Sequence, residues 1–140
     1  MANELATITA NNILAQDAGS IFCTIPAQPG DREASAKVFQ ALNNPEYRVA
    51  DFINKEISVS NVLIEAADIM DDETGEVDRV PRVVLISPEG KSYQAVSLGM
   101  YGAVKNAFLC FGPAPWDPAL TFLIKQKPVK NGSMLTADVY

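Results

Sequence analysis

The chain has 140 residues, 48% hydrophobic and 20% charged, which is enough apolar content to bury one core and suits a single domain. Its formal net charge of −6 excludes a simple polycation, and the absence of histidine removes the commonest general base and metal ligand. The charge is unevenly placed: residues 1–78 carry four basic and fourteen acidic side chains (−10), whereas residues 79–140 carry seven and three (+4), so the second half can present a local basic surface.

No apolar run approaches the roughly 20 residues that a membrane-spanning helix needs. The N-terminus lacks the basic start and apolar centre of a secretory signal. Cys23 and Cys110 stand far apart in apolar settings and read as buried free thiols in a reducing, cytoplasmic compartment.

Residues 1–30 are expected to form an arm, small and polar to about Ala18, with Ile21 to Ile25 able to add a short strand. Its apolar content is too low for a core of its own, so Ile13, Leu14, Ile21 and Phe22 are candidates for packing on a neighbouring copy. Residues 31–140 form the predicted domain. Asp31 caps a helix at about 31–43, with Ala34, Val38, Ala41 and Leu42 on one face and Asn43-Asn44-Pro45 at its end. Ile57 to Met70 is a long strand whose alternation slips near Val62 to Ile64, which predicts a bulge or bend that lets one strand serve two sides of a barrel. The acidic stretch Asp71 to Asp78 is a hairpin loop.

The centre of the chain is Arg79 to Phe111. Val80 to Ile86 is rich in branched residues and suits a strand. Ser87-Pro88-Glu89-Gly90 makes a tight turn, and Lys91 to Ser97 returns antiparallel. Ser97 then caps a helix carrying Met100, Val104, Ala107, Phe108 and Phe111 on one stripe, stopped by Gly112 and Pro113. Leu120, Phe122 and Ile124 mark another strand, and Asn131-Gly132 turns it into a last strand from Met134 to Tyr140. From Ile57 onward the order is three meandering strands, one helix and a two-stranded hairpin. The predicted fold class is therefore mainly β with helices, a five-stranded OB-fold barrel preceded by an arm and a helix.

Three stretches carry a family resemblance: DETGEV in the 71–77 region, PRVVLISPEGKSYQAVSLG at 81–99 and FGPAPW at 111–116. Together they resemble the OB-fold single-stranded DNA-binding proteins of bacteriophages and conjugative plasmids, over about residues 50–140. The resemblance implies a protein of the bacterial host cytoplasm that coats exposed strands cooperatively and without sequence preference during replication or transfer. Its partners would be single-stranded DNA, with RNA not excluded, and further copies of itself joined through the arm.

Coating a strand calls for cations that meet phosphates and aromatic faces on which bases stack. If Gly90 forms a bulge, Leu85 pairs with Tyr93 and Val83 with Ala95; without the bulge Tyr93 falls beside Val84. In the first register Val83, Leu85, Lys91 and Tyr93 share one face, and Val84, Ile86 and Val96 the other. The second set is the more uniformly apolar and is assigned to the core. Tyr93 beside Lys91 on the open face is then either a stacking platform or a half-buried sheet tyrosine. Lys125, Lys127 and Lys130 run along the fourth barrel strand, as phosphate contacts or as a solvated edge. Arg79 and Arg82 flank Pro81, equally placed for phosphate or for plain surface. Trp116 either stacks a base or plugs one end of the barrel, and Tyr47 and Tyr101 are further aromatic candidates.

The acidic residues Asp68, Asp71, Asp72, Glu73, Glu76 and Asp78 lack the ligand register of a calcium loop, and read as a solvated hairpin tip. No nucleophile elbow, phosphate-cradling glycine loop or Cys–His pair is present. The expectation is a non-enzymatic protein without metal or cofactor. The alternative is an OB-like interaction module whose acidic first half docks a basic partner.

Overall fold

The computed structural model describes residues 21–25, 30–70, 72–130 and 132–140. Along them run β1 (Ile21–Cys23), α1 (Arg32–Asn43), β2 (Tyr47–Arg48), a 3-10 turn (Val49–Phe52), β3 (Glu56–Val59), β4 (Asn61–Met70), β5 (Val77–Ile86), β6 (Ser92–Val96), α2 (Leu98–Phe111), β7 (Leu120–Val129) and β8 (Gly132–Val139). Among these residues the strands form a five-stranded sheet, β1-β4-β5-β6-β2, and a three-stranded sheet, β3-β7-β8, with no closed barrel.

The long strand expected at 57–70 bends at Ser60, just ahead of the slip in its alternation. Before the bend, β3 pairs with β7 (Ile57↔Phe122); after it, β4 pairs with β5 (Leu63↔Val84). Ser60 is held on both sides: its N–H donates to Ile86 at 2.9 Å and its carbonyl accepts from Trp116 at 2.8 Å. One continuous chain segment thereby joins the two sheets.

The Gly90 bulge sets the β5–β6 register as expected, with Leu85↔Tyr93 and Val83↔Ala95. Gly90 takes φ +89°, and the turn closes through Gly90 N–H to Ser87 at 2.9 Å and Lys91 N–H to the Ser87 hydroxyl at 3.0 Å.

The assignment of faces is reversed. Val83, Leu85, Tyr93 and Ala95 line the main core, together with Val62, Ile64, Met100, Val104, Phe122 and Ile124. Val84 and Ile86 are also buried, but beneath α1, where Ala41, Val38 and Leu42 pack on them with Leu63, Ile21 and Cys23. The physical reason is that Val83–Ile86 has no polar face, so the sheet is covered on both sides here, and the apolar stripe of α1 is the second cover. Val96, assigned to the core from its parity, lies beyond that cover and is 53% exposed.

Helix α2 begins as its sequence predicts. The Ser97 hydroxyl accepts from Met100 N–H at 3.2 Å, and Gly112 (φ +83°) returns its N–H to Phe108 at 3.0 Å. Met100, Val104 and Ala107 are buried, but Phe111, in the last position of the helix, falls off the stripe and is 47% exposed. The helix rests on β8 through Gly99, where an added Cβ would lie 2.0 Å from the Leu135 carbonyl oxygen. Ser97 Oγ also donates to that oxygen at 3.1 Å.

Strand β1 pairs with β4 (Phe22↔Ile64), which brings Ile21–Cys23 of the expected arm into the sheet. Ile21 and Phe22, candidates for packing on a neighbour, lie against their own chain instead. Phe22 meets Phe108 edge-on at 5.8 Å and Ile21 joins the cluster under α1, because β4 leaves an open edge there for β1 to cover. Ile13 and Leu14 lie outside the described residues. No helix among the described residues is long and apolar enough to cross a membrane.

Candidate nucleic-acid interface

The segment between α1 and β3 builds a cluster of three aromatic rings with exposed lysines beside it. Glu46 N–H donates to the Ser92 hydroxyl at 3.1 Å, and β2 then runs parallel to β6 with Tyr47 opposite Tyr93. The 3-10 turn buries Val49 completely and swings Phe52 back towards the two tyrosines. The Tyr47 and Tyr93 rings stack at 5.1 Å with 23° between their planes. Phe52 stands edge-on to both, at 5.7 Å and 81° to Tyr47 and at 5.1 Å and 90° to Tyr93.

Such offset and edge-to-face contacts follow the ring quadrupoles and fix the cluster's shape. Tyr47 is the outer ring, 37% exposed, and Tyr93 the inner one, 9% exposed. Burial raises the Tyr93 hydroxyl above its usual value, with the Lys91 ammonium pulling the other way.

The same segment leads to β7. Asn54 N–H donates to the Ile124 carbonyl at 2.7 Å and Ile124 N–H returns to the Lys55 carbonyl at 3.0 Å, so Lys55 continues the ladder beside the lysines of β7. The Lys55 ammonium lies 6.0 Å from the Phe52 ring centroid. Lys125 pairs with Asp138. Lys55, Lys91, Lys127 and Lys130 are exposed and have no ion-pair partner among the described residues. The result is a stack of rings with the Lys55 ammonium beside Phe52 and the Lys91 ammonium near Tyr93, while Lys127 lies further along β7 and Lys130 just past its end. Aromatic faces and cations are the two components that hold a single strand.

The other expected contacts fall elsewhere. Tyr93 is not on an open face beside Lys91; it lies under Tyr47, because β2 covers the edge of β6. Leu85 is fully buried in the main core and offers no surface. Trp116 is 5% exposed, with its indole N–H on the Gly112 carbonyl at 3.0 Å and its ring between Phe108 and Phe122; it is a side chain of the main core with no open face for a base. Tyr101 is 5% exposed, with the Lys105 ammonium 4.9 Å from its ring, so it has no free face for a base.

Arg79 is held by Asp68 at 2.8 Å and Arg82 by Glu65 at 3.4 Å. Phe52 and Lys55 belong to the cluster and were not among the residues the sequence singled out. Their signal was the interleaving of aromatic and basic residues in Tyr47-Arg48, Phe52 and Lys55. No three His, Cys, Asp or Glu side chains among the described residues converge as a metal site would need.

Comparison with known proteins gives one family. The family model for Phi29-type phage single-stranded DNA-binding protein matches residues 16–139. No curated protein and no solved structure matches the chain.

Proposed function

The chain belongs to the family of phage single-stranded DNA-binding proteins, and from that premise we propose that it coats exposed strands without sequence preference during phage replication in the host cytoplasm. It does so as a binding protein rather than a catalyst, on a single domain of OB type. The bent segment β3–β4 shared by both sheets, and α2 set between β6 and β7, support that fold reading. We further propose that neighbouring copies touch through residues 1–18, with Ile13 and Leu14 as the apolar contacts; deleting these residues then lowers cooperativity and spares affinity for a single site.

The observation that carries the function is the Tyr47–Tyr93–Phe52 cluster with Lys55 and Lys91 beside it; the exposed Lys127 on β7 and Lys130 just past it are assigned as further phosphate contacts. A base that stacks on the outer ring gains about 1–3 kcal/mol whatever its identity. Each ammonium that meets a phosphate on a single strand adds about 0.7 to the log–log salt slope. Anisotropy titration of labelled oligo-dT and oligo-U at two salt concentrations separates the two components. Tyr47→Ala is expected to weaken binding about equally at both salts, and Lys127→Ala mainly at low salt. Parent-like binding by a folded Tyr47→Ala protein would remove the cluster from the DNA path.

A further inference from the structure

The two arginines of β5 differ from the lysines around the aromatic cluster in one respect: each faces a carboxylate directly across the ladder, Arg79↔Asp68 and Arg82↔Glu65. Asp68 receives Arg79 through both oxygens, Nε at 2.8 Å and Nη2 at 3.4 Å. This is the forked geometry in which a guanidinium takes two phosphate oxygens. Glu65 accepts Arg82 Nη1 at 3.4 Å, while Gln94 from β6 accepts Nε at 3.2 Å.

The backbone register fixes both pairs; Arg82 and Glu65 are partly buried, their side chains 15% and 25% exposed, whereas Arg79 and Asp68 form an exposed pair. The hydrogen bond from Arg79 holds the Asp68 carboxyl below its usual range.

A guanidinium already neutralised by a carboxylate gains little from an approaching phosphate, which would also be driven against that carboxylate. We propose that Asp68 and Glu65 act as internal phosphate mimics that bar Arg79 and Arg82 from the strand and confine the DNA path to the lysines and rings of the cluster. The inference rests on the reading that the chain binds single strands.

A double-mutant cycle in oligo-dT binding tests it. Asp68→Asn removes the charge at nearly constant size, and the salt slope is expected to steepen by about 0.7 as Arg79 gains a phosphate. That gain disappears in Asp68→Asn/Arg79→Ala, and Arg79→Ala alone keeps the parent slope. Glu76→Gln, on the exposed hairpin tip, controls for net charge and leaves the slope unchanged.

A flatter slope in Arg79→Ala would overturn the proposal, since the arginine would then already contact DNA. So would a gain in Asp68→Asn that survives the loss of Arg79. Should Asp68→Asn melt early, Glu65→Gln with Arg82→Ala runs the same cycle at the second pair. Failure of the parent to bind oligo-dT sinks the functional reading itself, whereas binding by the parent without coupling in the cycle sinks the mimic alone.

Discussion

Gly99 and Gly102 lie in the same helix and predict opposite responses to the same change. Replacing a helical glycine by alanine raises helix propensity by about 0.8–1 kcal/mol where the space is open. At Gly102 nothing lies within 4 Å of the added Cβ, so Gly102→Ala is expected to stabilise by about that amount. At Gly99 the Cβ would sit 2.0 Å from the Leu135 carbonyl oxygen and 2.8 Å from Met134 Cγ. Ordinary contact begins at 3.4 Å, so α2 and β8 must part by about 1.4 Å (3.4 − 2.0).

The obstacle is backbone, which a side-chain rotation cannot clear. Parting also breaks the Ser97 Oγ bond to the same oxygen. Overpacking of this kind costs about 1–3 kcal/mol, and a lost hydrogen bond about 1 more. The propensity gain offsets only part, leaving Gly99→Ala destabilised by about 1–3 kcal/mol. Urea unfolding followed by far-ultraviolet circular dichroism measures both variants against the parent. A Gly99→Ala protein as stable as Gly102→Ala would refute the close seat of α2 on β8.

Trp116→Ala leaves a hole between Phe108 and Phe122 and is expected to cost about 3–5 kcal/mol in the same unfolding assay, the response of a core plug. Tyr93→Ala should lower both stability and DNA affinity, because the inner ring supports the outer one, whereas Tyr47→Ala should lower affinity with little change in melting.

Burial raises the hydroxyls of Tyr93 and Tyr101, so their contribution to stability is fully present below the unfolded value of about 10 and is lost as pH rises through their folded values. Asp68 is shifted the other way by Arg79; its contribution is present above about pH 4 and lost as pH falls through its folded value. Urea midpoints taken across pH should therefore hold level between these limits and drop on both sides as far as these groups are concerned.

Much of the fold was legible because local chemistry decides it. Pro88 and Gly90 set the turn and thereby the pairing of Leu85 with Tyr93; Ser97 and Gly112 mark the ends of α2; the slip in the 57–70 alternation announced the bend. The face of Tyr93 was not legible, because Val83 to Ile86 is apolar on both sides and alternation cannot tell a barrel interior from a surface covered by a helix.

The covers themselves are long-range: α1 reaches Val84 and Ile86 from more than 40 positions away, and β2 reaches β6 from a comparable distance. The site was legible in kind but not in place. Aromatic and basic residues were sought together, but the pairing of Arg79 and Arg82 with Asp68 and Glu65 depends on the β4–β5 register, and the return of Phe52 to the two tyrosines on a 3-10 turn.

The most direct measurement is photocrosslinking to an oligonucleotide carrying 5-bromodeoxyuridine, followed by tryptic digestion and mass spectrometry. Cleavage after Lys37, Arg48 and Lys55 yields the peptides Val38–Arg48 and Val49–Lys55, which separate Tyr47 from Phe52. Base stacking on the cluster predicts crosslinks in these two peptides, at Tyr47 foremost, and their loss when Tyr47 is changed to Ala. Crosslinks confined to Asn106–Lys125, which holds Phe111 and Trp116, with none at Tyr47 or Phe52, would contradict it.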